Sequence, residues 1–128
     1  MSATQADLLA AARTAREHAY APYSSFQVGA ALLTIDGEIV TGTNVENASY
    51  SLTICAERSA LFNAVSRGFR EFSAIAIVGP EGVPIAPCGA CRQALAEFSE
   101  KLSIVREGRS EVRLDEMLPE AFRPEVLR

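Results

Sequence analysis

Three cysteines and one glutamate fall into two short stretches, Thr53-Ile54-Cys55-Ala56-Glu57 and Pro87-Cys88-Gly89-Ala90-Cys91, and the chain has no other cysteine. Thiolates are good zinc ligands. Cys88 and Cys91, three residues apart, are neighbours on one helical face and form the short chelate that zinc sites commonly use. Cys55 then has to arrive from a second element. Three protein ligands leave the fourth tetrahedral position open to water, which separates a catalytic zinc from a structural one. Zinc lowers the pKa of bound water from 15.7 to about 7, worth roughly 12 kcal/mol toward hydroxide at neutral pH. Glu57, two residues from a ligand, is placed to take that proton and return it, help that is typically worth about 10² to 10⁴ in rate. The metal is therefore the larger contribution, and hydrolysis by activated water is the expected chemistry.

Plainer readings compete with this one. A free cysteine is often a small buried hydrophobe, Cys-x-x-Cys alone can be a redox pair, and a structural zinc could be closed by His18. Against them, all the cysteines lie in the two motifs, with Pro87 and Glu57 in the flanking places of the zinc deaminase pattern. Three thiols cannot all pair within one chain, and a reducing compartment would keep them free in any case. His18, far in sequence from both motifs, receives no role.

The elements that must position these residues are readable from patterning. Thr4 with Asp7 three residues on has the form of a capping box, and Leu8, Leu9, Ala12, Ala15 and Ala19 keep helical spacing until Pro22 closes the segment. Residues 28–34 and 38–43 read as two strands joined at Asp36-Gly37, a strong hairpin signal. The polar, aperiodic stretch 44–53 reads as a loop carrying function. A second helix begins near Cys55 and is stopped by Gly68; residues 74–78 form a buried strand. A third helix begins near Cys88, residues 103–106 form a further strand, and 114–118 a last short helix before Pro119. Thiols and carboxylate thus sit at helix N-termini, where unpaired N–H groups and the helix dipole favour thiolate. The alternation of strand and helix implies right-handed crossovers with parallel pairing in the middle of the sheet, and the hairpin supplies an antiparallel edge.

At 128 residues and 48% hydrophobic content the chain has the size of a single domain, 1–128, with a core of about 4–122 and a loosely held tail at 123–128. The net charge of −4 and the scattered basic residues favour a small uncharged partner over nucleic acid. The N-terminus lacks a leader pattern and no apolar run reaches the roughly 20 residues of a membrane span, so a cytoplasmic protein without membrane partners is expected.

The stretches Ala21-Pro-Tyr-Ser-Ser-Phe26, Val28-Gly-Ala-Ala-Leu32, Asn44-Val-Glu-Asn-Ala-Ser-Tyr50, Leu52-Thr-Ile-Cys-Ala-Glu-Arg58, Pro87-Cys-Gly-Ala-Cys-Arg-Gln93 and Leu118-Pro-Glu-Ala-Phe122 together resemble, in order and across nearly the whole chain, the small homotetrameric zinc-dependent cytidine deaminases. The resemblance implies an α/β fold, a three-layer α/β/α sandwich with a central mixed sheet of about five strands. It implies one Zn2+ per chain on Cys55, Cys88 and Cys91, and deamination of cytidine and 2′-deoxycytidine to uridine and 2′-deoxyuridine by zinc-activated water, with Glu57 as proton shuttle. A nucleoside substrate, a homotetramer with active sites shared between subunits, and a place in pyrimidine salvage follow from the same likeness. Phe26 resembles the aromatic that packs on the pyrimidine, Asn44 and Glu46 the pair that hydrogen-bonds the ribose hydroxyls, and Ala56 the residue whose N–H meets the base carbonyl. Tyr50 and Phe122 resemble residues that reach into a neighbouring subunit's site. Arg58 resembles an arginine set against the zinc thiolates, where it would offset the excess negative charge that makes bound water less acidic.

Two departures stand out: Thr43 occupies a place where many members carry a further cysteine, and the segment between Ile104 and Leu114 is shorter than usual. The zinc motifs are shared with blasticidin-type deaminases, so a modified cytidine or an aminonucleoside antibiotic is the alternative substrate. The Asn44–Tyr50 stretch is the nucleoside form.

Overall fold

The computed structural model describes residues 3–127. Helix α1 (Gln5–Arg16) opens on the expected capping box: the Thr4 side chain accepts from the Asp7 N–H, and the Asp7 carboxylate accepts from the Thr4 N–H. The helix stops at Arg16 and does not run on toward Pro22 as the periodicity implied. The reason is a competing set of bonds. The Tyr20 N–H donates to the Asn44 carbonyl at 3.1 Å and the Glu46 N–H to the Tyr20 carbonyl at 2.9 Å, so this segment bridges to the 44–46 strand-like stretch instead of coiling.

Strands β1 (Gly29–Thr34) and β2 (Ile39–Thr43) form the hairpin, with Gly37 at φ +94° in its turn. A 3-10 turn at Tyr50–Leu52 leads to α2 (Ala56–Ser66), which β3 (Phe72–Val78), α3 (Gly89–Ala96) and β4 (Ser103–Arg106) follow. A two-residue strand β5 (Val112–Arg113) and α4 (Leu114–Met117) close the domain. The sheet order is β2-β1-β3-β4-β5, antiparallel except for β3 beside β4. Parallel pairing is thus confined to that one pair, because the crossover through α2 passes over β1 and lands β3 on its far side. The tail is tied more firmly than its polarity implied: Pro124–Leu127 form a 3-10 turn and Arg123 pairs with Glu100 at 2.7 Å. The final residue, Arg128, lies outside the described residues.

Side chains alternate across the sheet, and the two faces differ in size. Toward α1 the sheet presents Ala31, Ala74, Ala76 and Val78, small groups that let α1 settle close through Leu8 and Ala12. On the opposite face Leu32, Val40, Ile75, Ile77 and Ile104 fill the space beneath α2, α3 and α4. This is the expected three-layer arrangement, with both cysteine-bearing helices on one side.

The approach of α2 is set by Gly42 on β2, where an added Cβ would lie 2.2 Å from the Ala60 nitrogen. No relaxation of a side chain can relieve a backbone contact of that kind. Gly42→Ala is expected to lower unfolding free energy by about 2 kcal/mol or more in urea denaturation, whereas Ser73→Ala, at the one exposed position of β3, changes it by less than about 0.5 kcal/mol.

Candidate active site

Cys55 is the N-cap residue of α2 and Cys88 that of α3, and Cys91 lies one turn into α3. Because α2 and α3 cover the same face and start at the same end of it, their N-termini meet. The Sγ atoms of Cys55 and Cys88 are 3.7 Å apart and those of Cys88 and Cys91 3.3 Å, and all three lie within 4.8 Å of one another. Three thiolates held at about 2.3 Å by a tetrahedral zinc are about 3.8 Å apart along each edge, so this triangle needs only a slight opening to fit the ion. His18 lies exposed just past α1 and is not a member of the group.

The electrostatics favour thiolate at the rim. The Cys55 thiol is held down to about 5 by a hydrogen bond from the Cys91 thiol, assisted by the Arg58 guanidinium, whose Nη2 donates to Cys55 Sγ at 3.6 Å. Cys91 is pushed up by that same sharing with Cys55 and by burial. Arg58 is in turn raised by its bond to Cys55, and its buried Nε has no partner among the described residues, which leaves a donor for the thiolate cluster. The Cys88 sulfur accepts from the Cys91 N–H at 3.4 Å, one of the unpaired donors of the α3 terminus. The Cys88-bearing loop is fixed by Arg92, whose Nε donates to the Pro87 carbonyl at 2.8 Å.

Glu57 is only 4% exposed, and burial is the main reason that its carboxyl is raised to about 7, with the Cys55 charge adding to the effect. A carboxyl that exchanges its proton near neutrality suits a group that must both accept and donate. Glu57 opens onto a cleft of about 420 Å³ that also touches Cys55 and Cys88.

The same cleft gathers Phe26, Asn44, Glu46 and Ala56. Phe26 follows Ser25, whose φ of +59° is unusual for a residue with a side chain, and its N–H donates to Ser24 Oγ at 3.0 Å. Asn44 braces this turn: its amide donates to the Phe26 carbonyl at 2.7 Å and accepts from the Val28 N–H at 2.9 Å. Each end of that amide keeps one further donor or acceptor site. Glu46 accepts from the N–H groups of Tyr23 at 2.9 Å and Ser24 at 3.1 Å and from the Ser24 hydroxyl, the last of which does most to hold its carboxyl below the usual range. Asn44 and Glu46 therefore shape the chain as well as face the cleft, a double duty that their residue types do not disclose.

Tyr50 and Phe122 are not brought to this cleft. Tyr50 is 77% exposed and packs edge-on to Tyr23; Phe122 is 59% exposed, its backbone gripped by the Gln93 amide at 2.8 and 3.0 Å. The cleft also has walls to which the sequence reading gave no role: Ser24, Val28, Thr53, Ile54, Ile85 and Ala86. Ser24, Val28, Thr53 and Ile54 stood inside matched stretches, Ser24 two residues before Phe26. Ile85 and Ala86 carried no signal beyond their nearness to Cys88.

A family model described as the cytidine and deoxycytidylate deaminase zinc-binding region matches residues 2–106. The chain is similar to the cytidine deaminase of Sporosarcina psychrophila, 49% identical over 94% of this chain and 92% of that protein. It is likewise similar to the cytidine deaminase of Halalkalibacterium halodurans, 51% identical over 92% and 93% of the two chains. The crystal structure of cytidine deaminase from Burkholderia pseudomallei superposes with a TM-score of 0.88 at 50% identity, covering 94% of this chain and 100% of that one. Cys88→Ala, a change at an exposed cap position, is expected to take bound zinc from about one per chain to near zero by atomic absorption. The variant's far-ultraviolet circular dichroism is expected to keep its native shape.

Proposed function

This chain belongs to the cytidine and deoxycytidylate deaminase family, and from that premise we propose that it is a zinc-dependent hydrolase converting cytidine and 2′-deoxycytidine to uridine and 2′-deoxyuridine with release of ammonia. The observation that carries this reading is one cleft of about 420 Å³ in which a three-thiol cluster, a buried carboxyl and an aromatic ring converge. That volume suits a small molecule.

The residues present fit the metal: two exposed or half-buried thiols and one buried one, on rigid helix termini, with an arginine beside them. When bound, zinc supplies a Lewis acid that brings the pKa of water down to about 7. Everything else falls to the chain. Glu57 accepts the proton of the water that adds to C4 of the cytosine ring and delivers it to N3. It then passes the second proton to the exocyclic amine, so that ammonia departs and the C4 carbonyl forms. The raised affinity of its buried carboxyl for a proton serves both directions. Arg58 offsets the charge of three thiolates and keeps the water acidic.

Binding follows the same logic. The Phe26 ring, 39% exposed, offers a face for the flat base, and the Ala56 N–H, in the unpaired first turn of α2, is a donor for the base carbonyl. Asn44 keeps one further amide donor and one further acceptor site, and the Glu46 carboxylate keeps unused lone pairs, for hydroxyls of the sugar. Tyr50 and Phe122 complete the sites of neighbouring subunits in a homotetramer, a role supported by their exposure outside their own chain's cleft. The chain acts as one domain, in the cytoplasm, in pyrimidine salvage; no described helix is long and apolar enough to cross a membrane.

Cytidine incubated with the zinc-loaded protein is expected to lose its characteristic ultraviolet band, and chelation is expected to stop the loss; no loss at full zinc occupancy would overturn the substrate assignment. Glu57→Gln is expected to keep about one zinc per chain and lower turnover by about 10² or more, measured in the same assay. Full activity in that variant would remove Glu57 from the proton path.

A further inference from the structure

A cavity of about 720 Å³, larger than the deamination cleft of about 420 Å³, lies apart from it. It lies between the C-terminal half of α1 and the loops that leave β3 and β4, and Arg13, Arg16 and Arg109 face it together with Glu81 and Glu107. Glu107 is taken up by an ion pair with Arg13. Arg16 spends one arm on the Gly79 carbonyl. Arg109 has no ion pair among the described residues. Arg106 stands next to it at the end of β4, its Nη2 on the Ser110 carbonyl at 2.9 Å and its buried Nε without a partner among the described residues. Burial, and then the positive charges of Arg109 and Arg92, hold Arg106 below the usual guanidinium range, so these cations crowd one another.

Such a gathering is unexpected in a chain of net charge −4. Like charges brought together with an unpaired buried donor cost stability unless a counter-charge joins them. Guanidinium forks match the oxygens of phosphate two at a time. The cavity is far larger than one phosphate and falls in the range of small-molecule sites, and Val83 and Pro84 add an apolar wall on which a base or sugar could rest. We propose that this cavity is a second ligand site, which binds a nucleotide with its phosphates on Arg16 and Arg109, backed by Arg106.

The site is joined to the deamination cleft through the chain itself. Residues 81–84 line the nucleotide cavity, and the next two, Ile85 and Ala86, form a wall of the cleft just before Pro87 and Cys88. An occupant that fixes 81–84 therefore fixes that wall, and cytidine meets a better-formed pocket. This second limb rests on the deaminase reading; of the binding limb, only the uridine competition in its test does.

Isothermal titration of the zinc-loaded protein with uridine 5′-diphosphate tests the binding limb. The diphosphate is expected to bind about tenfold or more tightly than inorganic phosphate, to weaken with rising salt, and to stay bound in saturating uridine, which fills the deamination cleft. Arg109→Glu, on an exposed turn, is expected to weaken it about tenfold or more. Arg67→Glu, at the far end of the sheet beside Glu38, is expected to leave it unchanged. Displacement by uridine, equal affinity for phosphate, or binding that survives Arg109→Glu overturns the site. For the second limb, saturating diphosphate is expected to lower KM for cytidine about twofold or more in the parent protein and not in Arg109→Glu; binding without a change in KM overturns the coupling. Absent turnover of cytidine would count against the deaminase reading alone.

Discussion

The rest of the site depends on the meeting of two helix N-termini around three thiols. A thiolate is costly in an apolar interior, and three of them together repel. The starts of α2 and α3 offset that cost with unpaired N–H groups and the positive ends of two helix dipoles, and Arg58 adds a full charge within 3.6 Å of Cys55. One element cannot do this alone, because the short chelate on α3 offers two ligands and the third must come from a helix on the same face of the sheet.

That requirement reaches down into the sheet. Both helices must begin at one end and lie close to the strands, so β2 carries a glycine under α2, and the large aliphatic residues of β1, β3 and β4 fill the space beneath. On the other face the alanines let α1 approach closely, and Arg16 reaches across to the Gly79 carbonyl at the start of the loop that ends in Cys88. The substrate side is built differently. There the chain leaves regular structure, and Asn44 and Glu46 fasten the turn at Tyr23–Val28 that presents Phe26. Metal side and substrate side thus meet at Cys55–Glu57, where the loop ends and α2 begins.

Much of this was legible in residue order. The capping box at Thr4, the hairpin turn at Asp36-Gly37, the start of two helices at Cys55 and Cys88, and the short α4 before Pro119 all follow from local chemistry, and the structure has each of them. What could not be read was non-local. The end of α1 was misplaced because Ala19 keeps helical spacing, while the backbone bonds of Tyr20 to residues 44 and 46 decide otherwise. The insertion of β1 between β2 and β3 is a choice of topology that no window of sequence contains. Ile85 and Ala86 enter the cleft only because the loop before Cys88 folds over it, and the gathering of Arg13, Arg16, Arg106 and Arg109 brings together charges about ninety residues apart in a sequence where they look scattered.

The most direct test of the central claim is X-ray absorption at the zinc edge of the loaded protein. Three sulfur scatterers at about 2.3 Å with one light-atom scatterer at about 2.0 Å are expected, the signature of three cysteines and an open fourth position. A shell of four sulfurs, or the multiple scattering of an imidazole, would contradict it and return the site to a structural role.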